Sequence, residues 1–373
     1  MITATISALQ KKLFQQELYK NTIDSLYFTE NGMMGEDENN IVQIKTDLKK
    51  SQGDTITFGL TSKPNRSGGA TGDEEIEGKE QAITAYSQAI AINLWRDGIA
   101  LKGKFDEKTA CYNMRKDASA KLKVLAQEWL ETQFFLKAGG VTNTSLTDIY
   151  GENIGIQATF GNTPPIVPDA DCNAGYGSRY LCADYKAGAT SLSPTDIMSV
   201  KLVKRLALIA NTAKPKMRPL RINGKSYFNL FIHPHQAYDL KEDDDYKKAL
   251  ENCAERGMNN PIFTGMLTVI DGIIIHEHPY VPFLDISAAG YNFAAADSGT
   301  QYSLDTYRAI LCGQQAIGYA QCDTDLGWVE IDKDAGAKHA FYTAIMGGVQ
   351  KIQFNSLDYS VCSLDTVSSI SVA

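Results

Sequence analysis

Thr55-Ile56-Thr57-Phe58-Gly59-Leu60 is the stretch on which the reading of this chain turns. Its apolar side chains stand at alternate positions, 56, 58 and 60, and alternate side chains of an extended chain share one face. A second extended run, Ile83 to Arg96, sets Ile90, Ile92 and Leu94 on one face and Ala89 and Ala91 on the other. The sequence between them, Thr61 to Glu80, is different in kind. Its apolar residues are Ala70 and Ile76 alone, and it holds Gly68, Gly69, Gly72 and Gly78 with eight charged residues. Two strands around such a stretch predict a long hairpin over 48–88, with a tip at about 61–80 that has no apolar surface to bury. A loop of that length in a compact domain is functional or unstructured.

Upstream, residues 1–40 read as an arm. Leu9, Leu13, Phe14 and Leu18 suggest a short amphipathic helix, and Asn31-Gly32 and Asn39-Asn40 interrupt any compact continuation. Downstream, residues 106–138 give the strongest helical pattern, with Ala110, Met114, Ala118, Leu122, Leu125 and Trp129 at spacings of three and four. Asp106 offers an N-cap and Gly139-Gly140 a stop. Ser193-Pro194-Thr195-Asp196 predicts the start of another helix, with an apolar stripe of Ile197, Val200, Val203, Leu206, Ala207 and Ala210. Tyr227 to Ile232 reads as a strand and Asp245 to Arg256 as a helix stopped by Gly257. Asp271-Gly272 between two apolar runs is a strong two-residue hairpin signal. The last clear strand lies within Gly348 to Asn355. Mixed rather than alternating element order favours an α+β fold.

Composition narrows the function classes. A chain of 373 residues suggests two domains, and 43% hydrophobic with 21% charged residues is ordinary for a globular protein. A formal net charge of −8 argues against a general nucleic-acid binder. No apolar run approaches the roughly 20 residues of a membrane helix, and Met1 to Ile6 does not open a secretory signal. The seven cysteines form no C-x-x-C pair, so buried reduced thiols are the simpler reading, with Cys172 and Cys182 as the one pairing the sequence offers.

The chemistry of catalysis is thin. Gly68-Gly69-Ala70-Thr71-Gly72 lacks the lysine and helix of a phosphate loop, and no G-x-S-x-G elbow occurs. His233-Pro234-His235 and His276-Glu277-His278 stand at i, i+2, a spacing that puts two imidazoles on one side of a strand and suits a metal. Pro234 favours a helix start that turns His235 away from His233. Asp243-Asp244-Asp245 reads as a helix N-terminus rather than a metal cluster.

Four segments together resemble the N4-type family of tailed-phage major capsid proteins. They are Gly53 to Phe58 with Gly72-Asp73 and Ile76 to Glu80; Phe231 to Lys241; Asn260-Pro261-Ile262-Phe263-Thr264-Gly265 with Asp271-Gly272 and His276-Glu277; and Gly313-Gln314-Gln315-Ala316. Lys79 departs from the family, where Asn is expected. The resemblance implies the Hong Kong 97-type coat fold. Its parts would be an N-terminal arm (1–40), strands and an extended E-loop (41–96), a peripheral domain with a spine helix at 106–138 (97–189), an axial domain (190–335) and a return to the peripheral sheet (336–373). It implies no cofactor and no catalysis. The charged tip residues Lys63, Arg66, Asp73, Glu74, Glu75, Glu77 and Lys79 become the expected inter-subunit contacts.

The partners implied are many copies of the chain as hexamers and pentamers, a portal at one vertex, scaffolding, cement or decoration proteins, and weakly held double-stranded DNA. No membrane is involved; the chain is made in the host cytoplasm and resides in the virion. The alternatives are a nanocompartment shell of the same fold and a metal-dependent enzyme using His276 and His278.

Overall fold

The computed structural model describes residues 22–46, 53–61, 72, 75, 77, 85–101, 103, 114–142, 146, 152, 154, 179–184, 192–213, 216–222, 224–251, 269–284, 293, 304–322, 329–333, 338–354 and 357–370. It opens with a one-turn helix, α1 (Tyr27–Glu30), and two short strands, β1 (Met34–Gly35) and β2 (Val42–Lys45). The hairpin expected from the alternation at 56, 58 and 60 is present as β3 (Thr55–Thr61) and β4 (Ala85–Ala91), antiparallel with Ile56 opposite Ile90. β5 (Asn93–Ala100) then changes partner, and α2 (Met114–Gly139) is the long helix. Its 26 residues span about 40 Å. After β6 (Tyr180–Cys182) come α3 (Val200–Thr212), β7 (Leu220–Ile222), β8 (Lys225–Ile232), α4 (Pro234–Glu242) and α5 (Asp244–Glu251). β9 (Val269–Ile270) and β10 (Ile273–Glu277) form the hairpin around Asp271-Gly272, followed by β11 (Phe283–Leu284) and β12 (Thr306–Cys312). The chain continues through β13 (Ile317–Gln321), β14 (Val329–Lys333), β15 (Lys338–Lys351), β16 (Gln353–Phe354), β17 (Leu357–Asp358) and β18 (Val361–Val367).

These strands build two main sheets. One runs β1-β2-β13-β15-β14, with β5 also on β15. The other runs β6-β18-β12-β8-β10-β9, with β11 on β12 and β7 on β8. The segment 336–373 thus divides between the sheets, β15 in the first and β18 in the second. Residues 26–44 do not stand apart from the core: Leu26, Phe28, Ile41 and Val42 are buried with Trp129, Phe134 and Phe135 of α2. From Trp129 to Val141 every residue is buried, so the second half of α2 is enclosed on all sides.

The sheets join at Gly313 to Ala316, between β12 and β13. Each N–H of this turn is bound by a different carbonyl: Gly313 to Ser360 at 2.8 Å, Gln314 to Arg218 at 2.8 Å, Gln315 to Asn40 at 2.8 Å and Ala316 to Ile41 at 2.9 Å. Gln315 takes a left-handed φ of 53° to make the corner. A buried ion pair ties α2 to the second sheet. Arg308 on β12 reaches Asp365 on β18 with both Nε and Nη2 (2.8 and 2.7 Å) and donates through Nη1 to Gly139 O at 3.0 Å. Such a pair costs more to break on one side than it contributes whole, because the remaining charge stays buried.

Several expectations are corrected. The helix predicted from Ser193 begins at Val200: Ser193 to Asp196 is a turn closed by Asp196, whose Oδ2 accepts from Ser193 N at 2.8 Å. The Val200 N–H is capped from afar, by Asp243 Oδ2 at 2.7 Å. In α2 the stripe departs at Leu125, 36% exposed, while Ala126 is buried. Residues 106–113 lie outside the described residues, as do Cys172, 252–268 and the segment Asn260 to Gly265. The extended run 83–96 breaks at Ile92, where the Ile92 N–H binds Asp54 O at 2.9 Å and closes the hairpin. Beyond that point Leu94 is 37% exposed and Trp95 turns inward to stack on Trp129, ring centroids 4.5 Å apart. A further strand follows Asn355: β18 is buried along its whole length.

Candidate functional site

The hairpin β3–β4 is rooted on the first sheet by shape. Ile56, Phe58, Leu60 and Ile90 pack against Ala320, Ile352 and Tyr359. Each such side chain fully buried contributes roughly 1.5–3 kcal/mol. Glycines in the sheet beneath make the approach possible. A Cβ at Gly348 would stand 2.1 Å from Ala91 O, and one at Gly318 would stand 2.7 Å from Ile90 Cδ1 and 3.1 Å from Phe58 Cζ. Polar tethers fix the angle. Lys45 Nζ donates to Thr57 O at 2.9 Å, Gln88 Nε2 donates to Lys351 O at 3.1 Å, and Gln88 Oε1 accepts from Gln353 N–H.

Among the described residues, none covers the opposite face of the hairpin. Thr55, Thr57, Gly59, Ser87 and Ala89 are exposed, a flat surface of small side chains. Of the predicted contact residues beyond it, Glu75 and Glu77 are described and both are exposed. Lys63, Arg66, Asp73, Glu74 and Lys79 lie outside the described residues. The hairpin is therefore anchored by one face and leaves the other exposed.

The fold has a family. A model of phage capsid proteins matches residues 2–370. The chain belongs to the phage capsid protein family. A major capsid protein of Pseudomonas phage KPP25 is 25% identical over 362 residues, covering 95% of this chain and 92% of that one. A chain of the capsid of Ralstonia phage GP4 superposes with a TM-score of 0.72 at 24% identity, covering 92% of this capsid protein and 91% of its own length. One from the capsid of cyanophage Pam1 gives 0.69 at 21% identity, covering 91% and 92%. The fold is the α+β Hong Kong 97-type coat fold. As a member of this family the chain is a structural protein of the virion that assembles in many copies.

In this capsid protein His233, His235, His276 and His278 lie among aromatic rings. His276 Nδ1 is hydrogen-bonded to Tyr27 OH at 2.9 Å. His278 Nδ1 accepts from Tyr280 N–H at 3.3 Å, and its Nε2 faces Glu131 Oε2 at 3.7 Å. Burial lowers both imidazoles to about 4. Burial likewise raises the Glu131 carboxyl, against the pull of the Tyr27 N–H and Gln127 amide. The 3.7 Å contact is therefore not a salt bridge at neutral pH. His233 caps α4 as expected from Pro234: its side chain accepts from His235 N–H while Gln236 Oε1 accepts from His233 N–H. His235, expected to turn away, instead stacks on His233 at 5.0 Å and on Tyr307 at 5.2 Å. Burial lowers His233 to about 3, helped by His235.

Among the described residues, Glu330, Asp332 and His339 form the one group of three whose ligand atoms lie within 4.8 Å of one another. The sequence reading missed it because the residues come from two strands, Asp332 standing opposite His339 in the β14–β15 register. It could hold a cation, but His339 Nδ1 already bonds Asp332 Oδ1 at 2.6 Å. Burial pushes the Cys362 thiol up to about 12 and raises Cys312 further, so neither is a nucleophile. Also missed were Gly318 and Gly348, which look like turn residues in one sequence and lie in mid-strand.

Proposed function

We propose that this chain is the major subunit of an icosahedral phage head, set as hexamers and pentamers around packaged double-stranded DNA. The observation that carries the reading is the hairpin, seated on its own sheet by one face while its other face, and Glu75 and Glu77 beyond it, are exposed. In the reading, Lys63, Arg66, Asp73, Glu74, Glu75, Glu77 and Lys79 meet a neighbouring copy. An assembled lattice supplies the contacts that offset the entropy of ordering such a tip.

The first sheet with α2 serves as the peripheral domain and the second sheet with α3, α4 and α5 as the axial domain. The role is architectural, without catalysis and without a resident cofactor. The chain is made in the host cytoplasm. A portal occupies one vertex, scaffolding and decoration proteins act from outside the chain, and the net charge of −8 suits a wall that does not hold its DNA tightly.

The test is expression of the chain followed by electron microscopy and sedimentation, beside a variant lacking residues 62–78. Closed particles are expected from the parent. The variant is expected to keep the parent's stability or gain about 1 kcal/mol, since each halving of a loop changes closure entropy by only about 0.6 kcal/mol, yet to form no stable shells. Normal particle yield from the deletion would refute the assignment of the tip.

A further inference from the structure

Two surfaces near α3 carry opposite charge. The outer ridge of α3 presents Lys204, Arg205 and Leu208, all exposed, with Leu208 at 50%. At the other surface a cleft is lined by Ile197, Tyr238, Asp239, Glu242, Asp243 and Asp244. Its four carboxylates are not matched by lining cations. Asp239 accepts from the Ser369 N–H (3.2 Å) and hydroxyl, and Asp243 from the Val200 and Asp245 N–H groups at 2.7 and 3.1 Å. These donors are neutral and leave the negative charge in place. At the rim Lys247 Nζ pairs with Glu242 at 2.6 Å and also feels the Asp244 charge, one cation against three exposed or half-exposed carboxylates. Tyr238, 48% exposed, supplies an aromatic face among the carboxylates.

An exposed leucine flanked by two cations thus has its complement in an exposed tyrosine flanked by acids, on the same chain. A patch that fits a different patch of an identical molecule makes a head-to-tail contact, and such contacts close into rings when the rotation allows. We propose that the Lys204–Arg205–Leu208 ridge of one copy docks in the Tyr238–Glu242–Asp244 cleft of the next copy. The inference rests on the shell-forming reading above and names one of its seams. Charge complementarity of this kind selects the register of docking and rejects the reversed one.

A charge swap tests it in the full chain. Lys204→Glu with Arg205→Glu is expected to lower particle yield by roughly tenfold or more, as is Glu242→Lys with Asp244→Lys, because each sets like charges face to face. Combining all four restores the complementarity with signs exchanged and is expected to restore particles. Circular dichroism of the soluble subunit checks that each variant folds. Independently of yield, Leu208→Cys with Tyr238→Cys in otherwise parental particles is expected to give disulfide-linked oligomers on non-reducing gels. Parental yield from either reversal, failure of the combined swap, or no linked species from assembled particles would each overturn the docking. Failure of the parent chain to form shells would instead strike the proposed function.

Discussion

The protein contains two hairpins that close in opposite ways. β9–β10 turns on two residues, Asp271 and Gly272, at left-handed φ values of 48° and 79°, and Ile270 pairs at once with Ile273. Nothing beyond the turn chemistry is needed to set its register. β3–β4 pairs Thr61 with Ala85 across 23 intervening residues, so its register is not set by a two-residue turn. Its register is held by Phe58 and Ile90 over Gly318 and Gly348, residues more than two hundred positions away. One hairpin is local information; the other is read only after the sheet beneath it exists.

That contrast can be broken by substitution. Gly348→Val should do the most damage, on the order of 5 kcal/mol, because the new side chain meets backbone rather than a movable side chain. Chemical denaturation and proteolysis within 53–91 would register it; a stable variant with a protected hairpin would show that the platform is not what seats it. Phe58→Ala should cost about 3–4 kcal/mol by leaving a cavity over Gly318, measured the same way.

Acid should separate the hairpins next. His233, His276 and His278 have folded pKa values of about 3, 4 and 4 against an ordinary 6.5. The folded chain therefore binds fewer protons than the unfolded chain over that window. Stability is fully present above about 6.5 and declines as pH falls towards 4. Hydrogen exchange should show β10 and the Tyr27 segment losing protection before β3–β4; the reverse order would contradict the burial of these imidazoles. The smallest effect belongs to the local turn. Gly272→Ala forces a Cβ into a left-handed conformation and should cost about 1 kcal/mol, a shift of a few degrees in Tm.

The same division explains what the sequence conveyed. Alternation at 56, 58 and 60, the Asp271-Gly272 turn, the Pro234 helix start and the long helix all depend on near neighbours, and all were legible. What escaped depends on remote partners. α3 starts late because its cap, Asp243, lies 43 positions along the chain. β18 was hidden because Ser363, Asp365 and Thr366 are buried polar residues, an unpromising strand until Arg308 stands opposite Asp365. Leu94 was assigned to the wrong face because a change of strand partner at Ile92 leaves no mark in composition. The family segments placed the fold as a whole, while the glycines under the hairpin are explained only by the atoms that cross them.

The turn from Gly313 to Ala316 has a mechanical meaning. Four consecutive amides, fastened to three separate stretches of chain, act as a weld between the two sheets. Bending there would release several bonds together, at roughly 1 kcal/mol each, so the two sheets resist hinging at this turn. A wall built from such subunits meets resistance if it takes up curvature by hinging one sheet on the other at this turn.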